Sequence, residues 1–162
     1  MAEENAAATE QPRREVGLRK LYIKDLSFES PGAPGIFTKT EFRPQTNLNL
    51  RTTHQQIDDT VFEMTLTLTI DAKIGEETAF LVELQQAGLF HIAGYDEAQR
   101  NVILGTFCPN ALFPYARETI SGAVQRGGFP EFLLQPIDFD ALFARSQQEM
   151  QKQQQAEASE PH

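Results

Sequence analysis

The stretch TVFEMTLTLTIDAKIGEETAFLVELQQAGLFHIAG at 60–94 decides the fold. Phe62, Met64, Leu66, Leu68 and Ile70 alternate with Glu63, Thr65, Thr67, Thr69 and Asp71. Beyond Ile74-Gly75-Glu76-Glu77, Phe80, Val82 and Leu84 alternate with Leu81, Glu83 and Gln85. Strand side chains switch face at every residue, so this spacing predicts two strands joined by a tight turn, with one packed face and one wet face. The wet face is broad and acidic and carries no catalytic pattern, which points to binding a partner.

Upstream, 18–29 sets Tyr22, Leu26 and Phe28 against Asp25, Ser27 and Glu29 and predicts a first strand, with Leu21 and Ile23 making the second face partly apolar. In 30–44, Pro31, Gly32, Pro34, Gly35 and Pro44 force turns and extended backbone outside any ladder. The segment is too long for a hairpin and predicts a crossover within the sheet. Leu48 and Leu50 alternate with Asn47, Asn49 and Arg51 in a weaker strand at 46–53.

After Gly94 the period changes. Leu112, Phe113, Ala116, Ile120, Ala123 and Val124 recur at three- and four-residue spacings, with Pro114 suited to a first turn and Gly127 to the position past a helix end. Asp138 suits the cap of a second helix carrying Phe139, Leu142, Phe143 and Met150 on one stripe. The expected class is α+β: a four-stranded antiparallel sheet with a crossover loop, followed by a long helix and a C-terminal helix. Residues 1–17, rich in Ala and Glu, and 146–162, with six Gln from Gln147 to Gln155, are expected to be disordered tails around one domain at 18–145.

The 14 basic and 23 acidic residues leave a formal charge of -9. Phosphate backbones and anionic membranes repel such a chain, whereas a basic partner or a positively charged unfolded chain is steered in. No apolar run approaches the roughly 18 residues of a membrane span, so no direct membrane insertion is expected. The N-terminus lacks a basic-then-apolar leader pattern, and the single Cys108 excludes an internal disulfide. These features lead us to expect a cytoplasmic protein.

The chemistry is sparse. His54, His91 and His162 have no metal-ligand spacing, and one cysteine supplies no thiolate cage. Cys108, before Pro109 in an apolar stretch, reads as a buried structural thiol and not as a nucleophile served by His91. Gly32-Ala33-Pro34-Gly35 and Gly127-Gly128 do not open a helix after a strand as a phosphate loop does, and Asp58-Asp59 and Glu76-Glu77 read as solvated turns. No catalytic residue, metal or cofactor is assigned. The 12 Phe exceed what one sheet face and two helices need, and Ile36, Phe37 and Phe42 fall in the Pro/Gly loop. These side chains either fold back as a lid over the core or line a groove that receives apolar side chains of a partner.

Four segments carry a family resemblance: LYIKDLSFESPGAP at 21–34, GEETAFLVELQQAGLFHIAGY at 75–95, FCPNALFPYARETI at 107–120 and FDALF at 139–143. Together they resemble the SecB protein-export chaperones. The resemblance implies a cytosolic, ATP-independent chaperone that holds unfolded secretory precursor proteins and delivers them to the motor ATPase SecA. It also implies a homotetramer, a dimer of dimers with the long helices at its centre; four chains at -9 each would carry -36. By the same resemblance, SecA binds Asp25, Glu29, Leu81 and Glu83, and a client-binding groove is formed by Phe37, Phe42, Leu48, Leu50, Phe139, Leu142 and Phe143. The oligomer interface falls to Ala116, Ile120, Ala123 and Val124. Where the family often has Trp, this chain has Phe42, which keeps an aromatic anchor. The alternative is a small-molecule-binding domain or enzyme on the same α+β sheet, recognisable by an enclosed pocket with converging polar groups.

Overall fold

A computed structural model describes residues 12–39 and 41–159. The strands are β1 (Glu15–Glu29), β2 (Gln45–Gln56), β3 (Val61–Ile74) and β4 (Glu77–Ala93), followed by α1 (Glu97–Gly105), α2 (Phe107–Arg126) and α3 (Phe139–Ala158). The sheet is wholly antiparallel in the order β1-β4-β3-β2. The 30–44 segment, with a 3-10 turn at Gly35–Thr38, is therefore the expected crossover, carrying the chain from one edge of the sheet to the other.

The alternation in β3 and β4 holds: Phe62, Met64, Leu66, Leu68, Ile70, Phe80, Val82 and Leu84 are all buried. α2 lays Leu112, Ala116, Ile120 and Val124 onto this face. Among the described residues the opposite face bears no helix, yet it is less wet than its composition suggests, since Thr65 and Thr67 are buried too.

β1 departs from strict alternation. Its register against β4 shifts between Leu18 and Lys20 and again between Ile23 and Asp25. Each inserted residue turns the following side chains to the other face. Tyr22 consequently lies opposite Ala87 on the helix-free face, not with Leu26 and Phe28 as the alternation predicts, and Leu21 and Ile23 take the helix side.

The helical half differs from the expectation in three ways. α1 was not foreseen, and α2 begins at Phe107, placing Pro114 inside the helix instead of in its first turn. α3 does start at Asp138, whose carboxylate accepts from the Ala141 N–H at 2.9 Å. It then continues through the glutamine run to Ala158, so most of the expected 146–162 tail is an exposed helix. Glutamine is a good helix former, and helical extension needs no apolar burial once α3 is nucleated. At the other end, β1 starts three residues before 18, while residues 1–11 of the expected tail lie outside the described residues.

Two glycines permit close packing. A Cβ at Gly127 would overlap the Phe28 ring, and one at Gly105 would overlap Phe143. These positions seat the end of α2 on β1 and the start of α3 on α1.

Candidate functional surfaces

The helix-free face gathers the four residues expected to bind SecA. Glu29 lies opposite Leu81, Ser27 opposite Glu83 and Asp25 opposite Gln85, which places Asp25, Glu29, Leu81 and Glu83 in three successive rows of one face. Asp71 of β3 completes the Leu81 row from the other side. It is 3.7 Å from Lys73, and its Oδ1 is buried without a hydrogen-bond partner. The sequence reading placed Asp71 on the wet strand face but did not group it with the other acids.

Further along this face, Glu63 joins three strands. Its carboxylate accepts from the Tyr22 hydroxyl and from Lys24 Nζ at 2.9 Å, both on β1, and from Gln55 Nε2 at 3.3 Å on β2. Tyr22 lies opposite the small Ala87 of β4 and reaches diagonally to Glu63, which pairs with Leu89 in the next row. The Tyr22 hydrogen bond, then Lys24, holds Glu63 below the usual carboxylate range against the opposing effect of burial. Burial, with Glu63 adding to it, pushes Tyr22 up to about 12.

The second surface is apolar. Phe129, in the loop after α2, lies 5.1 Å from Phe37, 5.5 Å from Phe42 and 5.1 Å from Phe80, centroid to centroid. Phe28 and Phe132 extend the cluster, at 5.9 Å and 6.1 Å from Phe80. Ile36 is buried as a lid, whereas Phe37 remains 49% exposed and leaves apolar surface open beside it. Between them a pocket of about 140 Å³ opens beside Phe42, Gly128 and Pro130. Leu48 shares a row with Ile70, Val82 and Phe28, and Leu50 shares one with Leu68 and Leu84, so β2 carries the apolar surface outward to a 46% exposed Leu48.

α3 does not complete this groove as expected. Phe139 is 2% exposed and packs edge-on against Phe113 of α2 at 5.9 Å, so it belongs to the core. Phe143 rests on Gly105 of α1, and Leu142 is exposed on the first turns of α3. The groove instead draws on Phe129, Phe132 and Phe28, which sequence reasoning missed. The Gly127-Gly128 pair before Phe129 was the available signal, because it ends α2 and turns the next aromatic back toward the sheet.

The expected oligomer interface also needs correction. Ala116, Ile120 and Val124 are fully buried against the chain's own sheet, and Ala123 is partly buried on the same core. Ala116, Ile120 and Val124 therefore cannot serve as a primary surface for another copy. The outward side of α2 presents Tyr115, Glu118, Gly122 and Arg126, which with Ile23, Leu26 and Leu133 border the edge strand β1; most of these residues line a depression of about 650 Å³.

Cys108 is fully buried, and burial pushes its thiol up to about 12, in keeping with a structural thiol. Asp58 makes a turn, its Oδ1 accepting from the N–H groups of Thr60 and Val61 at 3.0 and 2.9 Å. Among the described residues, no group of three or more His, Cys, Asp or Glu is placed to hold a metal ion.

The family model described as preprotein translocase subunit SecB matches residues 8–151. The protein-export protein SecB of Methylococcus capsulatus is 48% identical over 162 residues, covering 100% of both chains. Those of Hahella chejuensis and Nitrosococcus oceani are 48% and 47% identical, covering 97% and 93% of this chain and 97% and 94% of their own. The fold is similar to that of a SecB-like chaperone of Mycobacterium tuberculosis, solved in complex with an antitoxin peptide. That match has a TM-score of 0.64 at 18% identity and covers 75% of this chain and 90% of the other.

Proposed function

The chain belongs to the SecB family of protein-export chaperones, and from that premise we propose that it works in the cytoplasm without nucleotide, holding secretory precursors unfolded and passing them to SecA. The observation that carries this reading is the open aromatic surface. Phe37 and Phe42 flank a pocket on Phe129, and the apolar surface runs on to Leu48 and Leu50 along a strand edge that no helix covers. A pocket of about 140 Å³ suits one inserted side chain. It lies below the roughly 300 Å³ at which small-molecule sites begin. At this pocket that disfavours the small-molecule or enzyme alternative, and the larger depression of about 650 Å³ beside α2 is open to the surface, not an enclosed site.

Each precursor side chain fully buried here contributes about 1.5–3 kcal/mol. Several such contacts on one assembly become intramolecular after the first, so tight holding needs no sequence specificity. The assembly is a homotetramer in this reading, its contacts made by the outward side of α2 and the exposed edge of β1, not by the buried Ala116, Ile120 and Val124.

Asp25, Glu29, Leu81 and Glu83 form the docking surface for SecA, on the sheet face opposite the aromatic groove. Separate faces allow SecA to dock while a precursor is still held. Competition for the precursor then drives transfer. The test is the pair Phe37→Ala and Phe42→Ala: capture of an unfolded precursor should weaken about tenfold or more, while the fold and SecA affinity are retained and the melting temperature falls only by what two lost ring contacts on Phe129 cost. Unchanged capture would remove the groove from client binding.

A further inference from the structure

The helix-free face is zoned by charge, and only one zone is acidic. In the row that begins at Asp25 on β1, the register runs through Gln85 and Thr67 to Arg51 on β2. Arg51 pairs with no carboxylate among the described residues, although the chain as a whole carries -9. It borders an open polar hollow of about 260 Å³ shared with Lys24, His54, Gln85 and the hydroxyl-bearing Thr65 and Thr67. Thr65 and Thr67 are 6% and 9% exposed and form a rigid floor. The single acid of the hollow, Glu63, is already occupied by Tyr22, Lys24 and Gln55. What remains free is a guanidinium with hydroxyl and amide groups around it, a set that suits a carboxylate.

We propose that this hollow receives an acidic side chain of the same partner segment whose basic side chains meet Asp25 and Glu83, so that the face reads opposite charges in a fixed order. The inference rests on the docking reading of those two acids. Asp25 and Arg51 stand at opposite edges of the four-stranded sheet, three strand spacings or about 14 Å apart. An extended peptide covers that distance in about four residues. A segment laid in the reverse direction would bring its carboxylate to Asp25 and its cation to Arg51, so the zoning sets direction as well as position.

The experiment titrates the full-length protein with two labelled peptides by fluorescence anisotropy. The first is acetyl-Lys-Lys-Gly-Ser-Gly-Glu-Glu-amide, and the second has glutamine in place of both glutamates. Arg51→Ala should weaken the first peptide about fivefold, the equivalent of ~1 kcal/mol, while leaving the second unchanged. Arg51→Lys should restore part of the loss, and Asp25→Lys with Glu83→Lys should weaken both peptides. Arg51 is exposed on an edge strand, so its variants keep the fold, which a melting curve checks. An Arg51→Ala variant that holds the first peptide as wild type does, or that loses the second peptide as much as the first, would overturn the proposal. If Arg51→Ala has no effect while the Asp25/Glu83 variant loses both peptides, the hollow alone fails. If the Asp25/Glu83 variant loses neither, the docking reading has failed with it.

Discussion

Glu63→Gln offers a quantitative test of how the helix-free face is held together. The carboxylate is only 13% exposed and accepts from three donors on two other strands. Hydrogen bonds to a charged group contribute about 1.5–3 kcal/mol each before the cost of desolvating the acid. After that cost, we expect the substitution to destabilise by about 1–2 kcal/mol at pH 7. The sign with pH follows from the depressed pKa. Glu63 in the fold stays ionised below its ordinary value of 4.5, so its contribution is complete above that value and is lost as pH falls through the lowered folded value. Urea denaturation at pH 7 and at successive steps below pH 5, at one fixed protein concentration, measures the difference. Wild type and Glu63→Gln should differ at pH 7 and converge on acidification. Parallel curves, with the same gap at every pH, would refute the assignment of this network to an ionised Glu63.

Three further outcomes follow. Ile120→Asp places a charge in the core against the sheet and should abolish folding, at a cost of several kcal/mol, whereas Gly122→Glu on the outward side of α2 should yield folded chains of lower mass in sedimentation. Asp25→Lys with Glu83→Lys should sharply reduce SecA affinity and its salt dependence while precursor capture persists, as titration at two ionic strengths would show. Cys108→Ser buries a hydroxyl where the thiol is fully enclosed, and should lower stability by about 1–3 kcal/mol in urea denaturation without affecting precursor capture.

The hairpin at 60–94 was legible because both its strands alternate without interruption and its turn is local. The crossover was legible because five Pro and Gly residues exclude a ladder between 30 and 44. β1 misled at Tyr22, since a bulge adds a residue without leaving any compositional mark and every side chain beyond it changes face. α1 is only nine residues long and buries a single residue, Leu104, and its sign was the reciprocal cap of Asp96 and Gln99, which the structure forms in full. The apolar stripe of α2 correctly marked a helix. Periodicity could not say whether that stripe meets the chain's own sheet or another copy, and burial assigns Ala116, Ile120 and Val124 to the former. Phe139 and Phe143 were misplaced for a related reason: a two-aromatic stripe is equally suited to a groove and to the helices beneath it.

In the proposed function, the open aromatic surface holds unfolded precursor without nucleotide and yields it to SecA. A single measurement addresses it: a labelled, chemically unfolded precursor is diluted into the full-length protein without ATP, its retention is followed by native mass, and SecA is then added. The expected result is a complex of a tetramer with unfolded precursor that forms without nucleotide, weakens when Phe37 and Phe42 become Ala, and loses its precursor when SecA docks. A precursor that refolds at its unassisted rate in the presence of the wild-type protein would contradict it.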